Sequence, residues 1–451
     1  MTKTAVEIAT SVRAGTSSAR AEIAAALDRI DRSQPQIGAW QVVRRDKALA
    51  EADAVDARID RVALPLAGVP VAIKDNIPVK GEPMRDGARG SAASLQTSDH
   101  EVVRRLRSAG AVVVGLTRVP ELCIWGATDS SFGITRNPWA LDRTPGGSSG
   151  GTAAAVASGD VPIGHGNDGM GSIRIPAACC GLVGLKPGLG VVPSGLGATN
   201  WNDMAENGPL ATTVEDAALL FSVLADDPSY AVVKDPARLR IAVSTRAPAA
   251  GTPVAAAWRG ATDHIGDLLG SLHAVHRATP RYPASLMTTT ALQLWTTGAA
   301  QDAGLLADAG LLTGSRSLER RNRVHVGIGR ALLKRGYPRA AGRESWRVRA
   351  TEFFDDVDVL ITPSLAQPPI AARDWNRASW AASLWANARY APFAAPWNII
   401  GWPAMTVPAG LDDHGRPVGV QLVGRPGSER TLLALAAQIE GLEPWQRTAV
   451  L

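Results

Sequence analysis

Between residues 3 and 60 apolar side chains recur three and four positions apart, first Val6, Ile8, Ala9 and Val12, then Ile23, Ala26, Leu27 and Ile30. Such spacing puts each set on one face of a helix. The polar break Gly15-Thr16-Ser17-Ser18 separates the two sets, so residues 1–60 are expected to form two or three N-terminal helices packed on the rest of the chain. From Val69 the period changes. Short β-branched runs, Val69 to Ile73 and Ala111 to Val114, flank a helical stretch from Glu101 to Ser108, and strands alternating with helices predict βαβ units and a largely parallel or mixed sheet. Further strands are expected at Leu239 to Val243, Asp358 to Thr362 and Arg416 to Gly424, whereas residues 245 to 350 are mostly helical in pattern. Between Arg136 and Gly197 the chain is dense in Gly, Ser and Pro, interrupted by one Ala-rich helix from Thr152 to Ser158. Loops this concentrated are linkers or sites. With no internal repeat and no sharp change of composition, residues 61–451 read as one domain, with a helical region at about 225–350.

Composition narrows the function classes without choosing among them. A chain of 451 residues that is 45% hydrophobic and 20% charged is an ordinary globular enzyme or binding protein. Lys+Arg 47 against Asp+Glu 42 leaves +5, spread along the chain except for an Arg-rich stretch from Arg316 to Arg349. That stretch reads as a solvated helical surface, and no nucleic-acid partner is expected. Three cysteines, Cys123, Cys179 and Cys180, have no metal-ligand spacing and suit a reducing cytoplasm better than a disulfide framework. The start, Met1-Thr2-Lys3-Thr4, leads into no apolar segment with a cleavage site, and no run reaches the 18 or so apolar residues of a span. Neither secretion nor a membrane partner is expected.

Two glycine motifs invite familiar readings and fail them. Gly164-His165-Gly166-Asn167-Asp168-Gly169 is a literal G-x-G-x-x-G after a potential strand end at Val161 to Ile163. Pro176 is expected to block the helix that a dinucleotide site requires, and no acidic residue about 20 positions on would hold a ribose. Gly146-Gly147-Ser148-Ser149-Gly150 matches the G-x-S-x-G elbow, yet the preceding Asp142-Arg143-Thr144-Pro145 is turn chemistry where a buried strand belongs. Neither cluster ends in the Gly-Lys-Ser/Thr of a P-loop.

A third arrangement accounts for both clusters together. Val71-Ala72-Ile73-Lys74-Asp75-Asn76 puts a lysine at the end of an apolar run; Pro145 to Gly151 follows; and Gly166 to Ala177 carries Ser172 24 residues after Ser148. With Phe132-Gly133-Ile134-Thr135-Arg136-Asn137-Pro138-Trp139, Cys180 to Pro187, and Gly401-Trp402-Pro403-Ala404 leading to Gly419 to Gly424, the chain resembles the amidase signature family from its first helices to about residue 435, most thinly between 225 and 350. The resemblance implies an α/β fold with a large central mixed β-sheet flanked by helices on both faces. It implies amide hydrolysis with no cofactor and no metal, with Ser172 as nucleophile, Ser148 as relay after a cis peptide from Gly147, and Lys74 as terminal base. A serine hydroxyl is a weak nucleophile until a neighbour takes its proton, and a lysine can do so only when burial lowers its pKa. Backbone N–H groups of Gly169, Met170, Gly171 and Ser172 are candidates for holding the oxyanion. Asp168 and Arg174, with Gly147, are candidates for supporting the tight loop.

The chain departs from the family pattern in two places. Met170-Gly171 stands where two glycines are usual, so a positive φ at that position would strain methionine. Leu116-Thr117-Arg118 replaces the common Lys-Thr-Asn, which alters local hydrogen bonding. The family's substrate pocket falls partly on Glu121-Leu122-Cys123-Ile124-Trp125, making Leu122, Cys123, Ile124 and Trp125 candidate substrate contacts. Among thirteen tryptophans, Trp375, Trp380, Trp385, Trp397 and Trp402 crowd one stretch and read mostly as packing, while Trp125 is the candidate for lining an acyl pocket. The expected substrate is a small amide with an apolar or aromatic acyl group, and a homodimer is the candidate assembly. The alternative is the glutamine-hydrolysing component, or A subunit, of an amidotransferase. Cys179 and Cys180, in an apolar stretch, are expected in the core.

Overall fold

The computed structural model describes residues 2–90, 94–308, 310, 312 and 317–451; Met1 and Arg316 lie outside that set. Its strands, in chain order, are β1 (Trp40–Val43), β2 (Pro70–Lys74), β3 (Val112–Thr117), β4 (Asp129–Ser130), β5 (Gly133–Ile134), β6 (Ile163–Asp168), β7 (Val183–Lys186), β8 (Glu206–Ala211), β9 (Arg240–Val243), β10 (Ala274–Arg277), β11 (Val359–Pro363), β12 (Ala404–Leu411) and β13 (Pro417–Val423). Eleven of them form one sheet in the order β1-β3-β2-β6-β8-β7-β12-β13-β11-β9-β10, and β4 and β5 make a separate ribbon. Parallel pairs join β2 to β3 and β6, and β9 to β10 and β11; the remaining ladders of the large sheet are antiparallel. The sheet is therefore mixed, and helices flank it. β2, β3 and β11 are buried along their whole length, which is why they read as continuous apolar runs rather than alternating ones.

The N-terminal pattern yields helices Ala5–Arg13, Ala19–Ile37 and Arg45–Asp56. Thr4 opens the first through a capping box with Glu7, and the Ser18 side chain accepts from Ala21 N at the start of the second. The strand β1 between the second and third helices is not foreseen by the pattern, because its four residues are too few to show a period. In the 245–350 region the helices Ala256–Leu269, Ala291–Asp308, Arg320–Leu333 and Ala340–Phe353 do form, with the short edge strand β10 among them.

Three expectations need correction. The Gly164–Asp168 segment is a buried strand, β6, and not a loop. A helix, Arg174–Cys180, does follow despite Pro176, which lies in its first turn where the missing N–H costs no helical bond. The Arg-rich stretch is solvated on one face only: Arg321 is 1% exposed and pairs with Asp129 at 2.8 Å, and His325 is buried on the same helix.

The edge of the sheet is tied to the molecule through one buried carboxylate. Asp160 Oδ2 accepts from Trp40 Nε1 and from Ser33 Oγ, both at 2.8 Å, linking β1 and the second helix to the end of the helix Gly150–Ala157. Trp40→Phe keeps the apolar ring and removes this donor, so stability should fall by about 1.5–3 kcal/mol. Urea denaturation measures it, and an unchanged midpoint would show that the tie carries no stability.

Candidate active site

The site forms where β2 and β6 end side by side. Their parallel pairing, Val71 opposite Ile163 and Ala72 opposite Gly164, carries Lys74 and Asn167 to the same end of the sheet. Lys74 is fully buried, and its Nζ lies within hydrogen-bond distance of Ser148 Oγ at 2.7 Å, Asn167 Oδ1 at 2.6 Å and Asn167 O at 3.2 Å. Burial lowers the Lys74 pKa, because the charged ammonium loses its water, while Cys123, Asp86 and Asp168 act in the opposite direction. Asn167 is itself held by Asn76: Nδ2 donates to Asn76 Oδ1 at 2.7 Å, and Asn76 Nδ2 returns to Asn167 Oδ1 at 3.3 Å.

Ser148 sits just ahead of the helix Gly150–Ala157, and the Gly147–Ser148 peptide is cis. Ser172 lies just ahead of the helix Arg174–Cys180, half-buried, and its carbonyl accepts from Ser149 N at 3.1 Å. This backbone bond pins the two serine loops together. Among the described residues no hydrogen bond joins the Ser148 and Ser172 hydroxyls, although both line one cavity.

Asp168, the last residue of β6, organises the loop that carries Ser172. It accepts from Gly171 N at 2.5 Å, Ile173 N at 3.2 Å and Arg174 N at 3.4 Å, and from Arg174 Nε at 2.9 Å and Nη2 at 3.0 Å. Arg174 in turn donates to Gln421 Oε1 at 2.8 Å and Asn398 Oδ1 at 2.5 Å, and Asn398 Nδ2 donates to Asp168 Oδ1 at 2.9 Å. Burial alone would raise the Asp168 carboxyl; the Arg174 guanidinium overrides it and holds the group well below the carboxylate range.

This arrangement separates Gly171 from the other candidate oxyanion donors. The N–H of Gly171 is directed at Asp168, whereas those of Gly169, Met170 and Ser172 donate to no protein acceptor among the described residues, and all three residues line the cavity. The strain anticipated at Met170 is absent. Only Gly171 takes the left-handed backbone, at φ 117, and a Cβ there would lie 2.7 Å from Ala394 Cβ and Ile175 Cδ1. At the other departure, Arg118 keeps its backbone bonds, donating to Ala39 O at 2.8 Å and accepting from Gly151 N at 3.2 Å.

Two adjoining cavities, about 220 and about 110 Å³, share Ile124, Met170, Ser172 and Trp295 as walls. Leu122 and Cys123 line the larger and Trp125 the smaller, so all four candidate substrate contacts face this space. Glu121 turns the other way, accepting from Glu319 N at 2.7 Å and Asn322 Nδ2 at 2.8 Å, and burial pushes its carboxyl up to about 7. Trp125 donates to Asn322 Oδ1 at 2.6 Å and meets Trp295 edge-on at 5.3 Å. Trp397 and Trp402 pack in the core with Phe354, while Trp385 is 65% exposed; none of the three lines the cavities. Cys179 and Cys180 are buried and free, away from both cavities.

Sequence reasoning missed Asn76, Asn167, Asn398, Gln421 and Trp295. Asn76 and Asn167 were within reach, standing inside the motifs that carry Lys74 and Asp168; the others come from segments 120 or more positions away from Ser172.

The family model for amidases matches residues 21–433. A Mycobacterium bovis protein that bears the amidase name AmiB2 is 43% identical over 434 residues, covering 93% of this chain and 91% of the relative. The glutamyl-tRNA(Gln) amidotransferase of a Picosynechococcus species has an A subunit that is 32% identical, covering 93% of each chain. The solved structure of a 6-aminohexanoate cyclic dimer hydrolase superposes with a TM-score of 0.86 at 29% identity, covering 98% of this chain and 97% of that one.

Arg174→Met strands Asp168 as a buried, uncompensated charge, so it should cost about 3–5 kcal/mol. Chemical denaturation reads this directly; a loss below about 1 kcal/mol would mean the loop is held by other contacts.

Proposed function

This chain belongs to the amidase signature family and is a hydrolase acting on amides, and from that premise we propose that Ser172 is its nucleophile, Ser148 the relay and Lys74 the terminal base. The observation that carries this reading is the hydrogen-bond pattern of Lys74. A neutral amine has two N–H groups and one lone pair. Asn167 O and Oδ1 match the two donors, and the third direction, 2.7 Å toward Ser148 Oγ, is left for the lone pair. Lys74 then accepts the Ser148 proton while Ser148 accepts that of Ser172, and the freed Ser172 Oγ attacks the amide carbon. The link between the two serines closes as substrate fills the cavity, since catalytic hydrogen bonds are often long before binding.

The unused N–H groups of Gly169, Met170 and Ser172 receive the negative oxygen of the tetrahedral intermediate, each worth a few kcal/mol. Collapse expels the amine, which takes back the relayed proton. Water, deprotonated along the same path, then attacks the acyl-enzyme, so that amide plus water yields carboxylic acid plus amine or ammonia. The smaller cavity, walled by Trp125, Trp295, Met287, Leu292 and Leu384, suits an apolar or aromatic acyl group. The glutaminase alternative draws only on the more distant of the two relatives, the amidotransferase component. Free thiols at Cys123, Cys179 and Cys180 support a reducing compartment such as the cytoplasm; no helix among the described residues is long and apolar enough to cross a membrane.

Ser172→Ala should lower kcat on simple amides by at least about 10³-fold while the protein stays folded, and a fluorophosphonate should label Ser172. Near wild-type turnover in this variant, or labelling elsewhere, would remove the assignment. Because the neutral amine is the active form and burial lowers its pKa, kcat/KM should climb with pH and level off below the ordinary lysine value of 10.5. Lys74→Ala should be inactive near neutrality and recover partly in alkali, as hydroxide replaces the missing base; a wild-type pH profile in that variant would exclude Lys74.

A further inference from the structure

The two cavities that meet at Ser172 differ in chemistry. The smaller is apolar, and besides Ser172 its polar side chain is Asn387, already engaged with Gly126 N and Ser383 O. The larger is lined by two carboxyls, Asp86 and Asp302, and among the described residues by no lysine or arginine. Asp302 is satisfied: Oδ1 accepts from Ala198 N at 2.9 Å and Oδ2 from Trp201 Nε1 at 2.5 Å.

Asp86 is in a different position. Its carboxyl accepts from the Cys123 thiol at 3.4 Å, a weak donor. Lys74 is a cation acting on it, but the three directions of that amine are taken by Ser148 and Asn167. The backbone holds the carboxyl where it is. Asp86 N donates to Asp75 O at 3.0 Å, and Leu122 N donates to Asp86 O at 2.9 Å. The adjacent Gly87 rests so closely on Pro120 and Glu121 that a Cβ would lie 2.7 Å from their backbone atoms. Asp86 takes a left-handed conformation at φ 47, as do its contacts Leu122 and Cys123 at φ 54 and 53; non-glycine residues so held gather at sites where a side chain must be aimed. Burial drives the Asp86 carboxyl well above its usual range, and Asp302 and Asp75 add to the effect. A bound cation would reverse it.

We propose that the larger cavity takes a protonated amine carried by the substrate, with Asp86 as its counter-ion, so that the scissile bond joins an apolar half to a cationic half. This rests on Ser172 as the reacting centre only in placing that bond where the cavities meet. A primary amide would leave one cavity empty; a secondary amide fills both. The smaller cavity supplies apolar burial and the larger a charge-assisted hydrogen bond, which in a desolvated site is worth about tenfold or more in affinity.

Calorimetry on the Ser172→Ala protein tests this without turnover. The probes are N-(6-aminohexyl)benzamide against neutral N-heptylbenzamide, and, with the amide reversed, 6-aminohexananilide against heptananilide. In at least one pair the cationic member should bind about tenfold tighter or more, and Asp86→Asn in the same background should bring that ratio close to one. Asparagine tolerates the left-handed backbone, so the fold is kept. Equal binding within both pairs, or a preference that survives Asp86→Asn, overturns the proposal. A third probe needs no second variant: 6-benzamidohexanoate should bind more weakly than N-heptylbenzamide, and equal or tighter binding also overturns it. Hydrolysis of heptananilide by the wild type, with labelling of Ser172, tests the catalytic assignment separately, so either reading can fail while the other stands.

Discussion

An amine proposed as a base inside a protein has to lose its water and still find partners for its hydrogens, and the surroundings of Lys74 meet both demands. Desolvation lowers its pKa, but an unpaired buried amine would be costly. Asn167 removes the cost by offering its carbonyl and its side-chain oxygen together. For that, β6 must run parallel to β2 with Asn167 at its end, and so a strand of Gly, His, Gly, Asn and Asp is buried in the middle of the sheet. The polar side chains there are paired one by one: His165 is kept neutral by burial, which pushes it down to about 3, and bonds Asn207 of the neighbouring β8 at 2.9 Å. Around the sheet centre, strand order serves the pairing of buried polar groups as much as the core.

That demand also explains where the sequence was readable. β2, β3 and β11 are buried along their whole length, so hydrophobicity and β-branching show them to within three residues at each end. β6 and β8 carry Gly164, Gly166, Asn167, Gly208 and Pro209, residues that ordinarily weaken or end strands, and their pairing is set by partners rather than by propensity. Pro209, opposite His165 on a central strand, is beyond any local rule. The three proposed reacting side chains were legible because each stands in a short motif. Asn398 and Trp295 stand in none, and Gln421 stands in a patterned segment remote from Ser172; what makes them part of the site is a fold that brings segments more than a hundred positions apart together.

The same contrast runs through the helix Arg320–Leu333. Its arginines suggested a wet surface, and Arg323 and Arg330 are exposed. On the inner face Arg321, Asn322 and His325 instead brace the wall of the smaller cavity, Asn322 by accepting the Trp125 indole N–H and His325 by lying against Trp295 at 4.5 Å. Charge content alone does not distinguish these faces; only the spacing of one, two and five places from the first arginine does.

The loop before Ser172 divides its backbone donors between two tasks, and the division accounts for the methionine. Asp168 draws in the N–H groups of Gly171, Ile173 and Arg174, fixing the loop, and leaves those of Gly169, Met170 and Ser172 for the cavity. An N–H cannot serve both, so the loop divides its residues: Gly171, Ile173 and Arg174 turn their N–H groups to Asp168, and Gly169, Met170 and Ser172 line the cavity. The turn needed for this reversal falls on Gly171, with its φ of 117 and with Ala394 and Ile175 against its α-carbon. Position 170 therefore carries none of the backbone demand and is free to bear a side chain. In this chain that side chain is Met170, which walls both cavities at Ser172, and an unbranched thioether can adjust to what fills either of them.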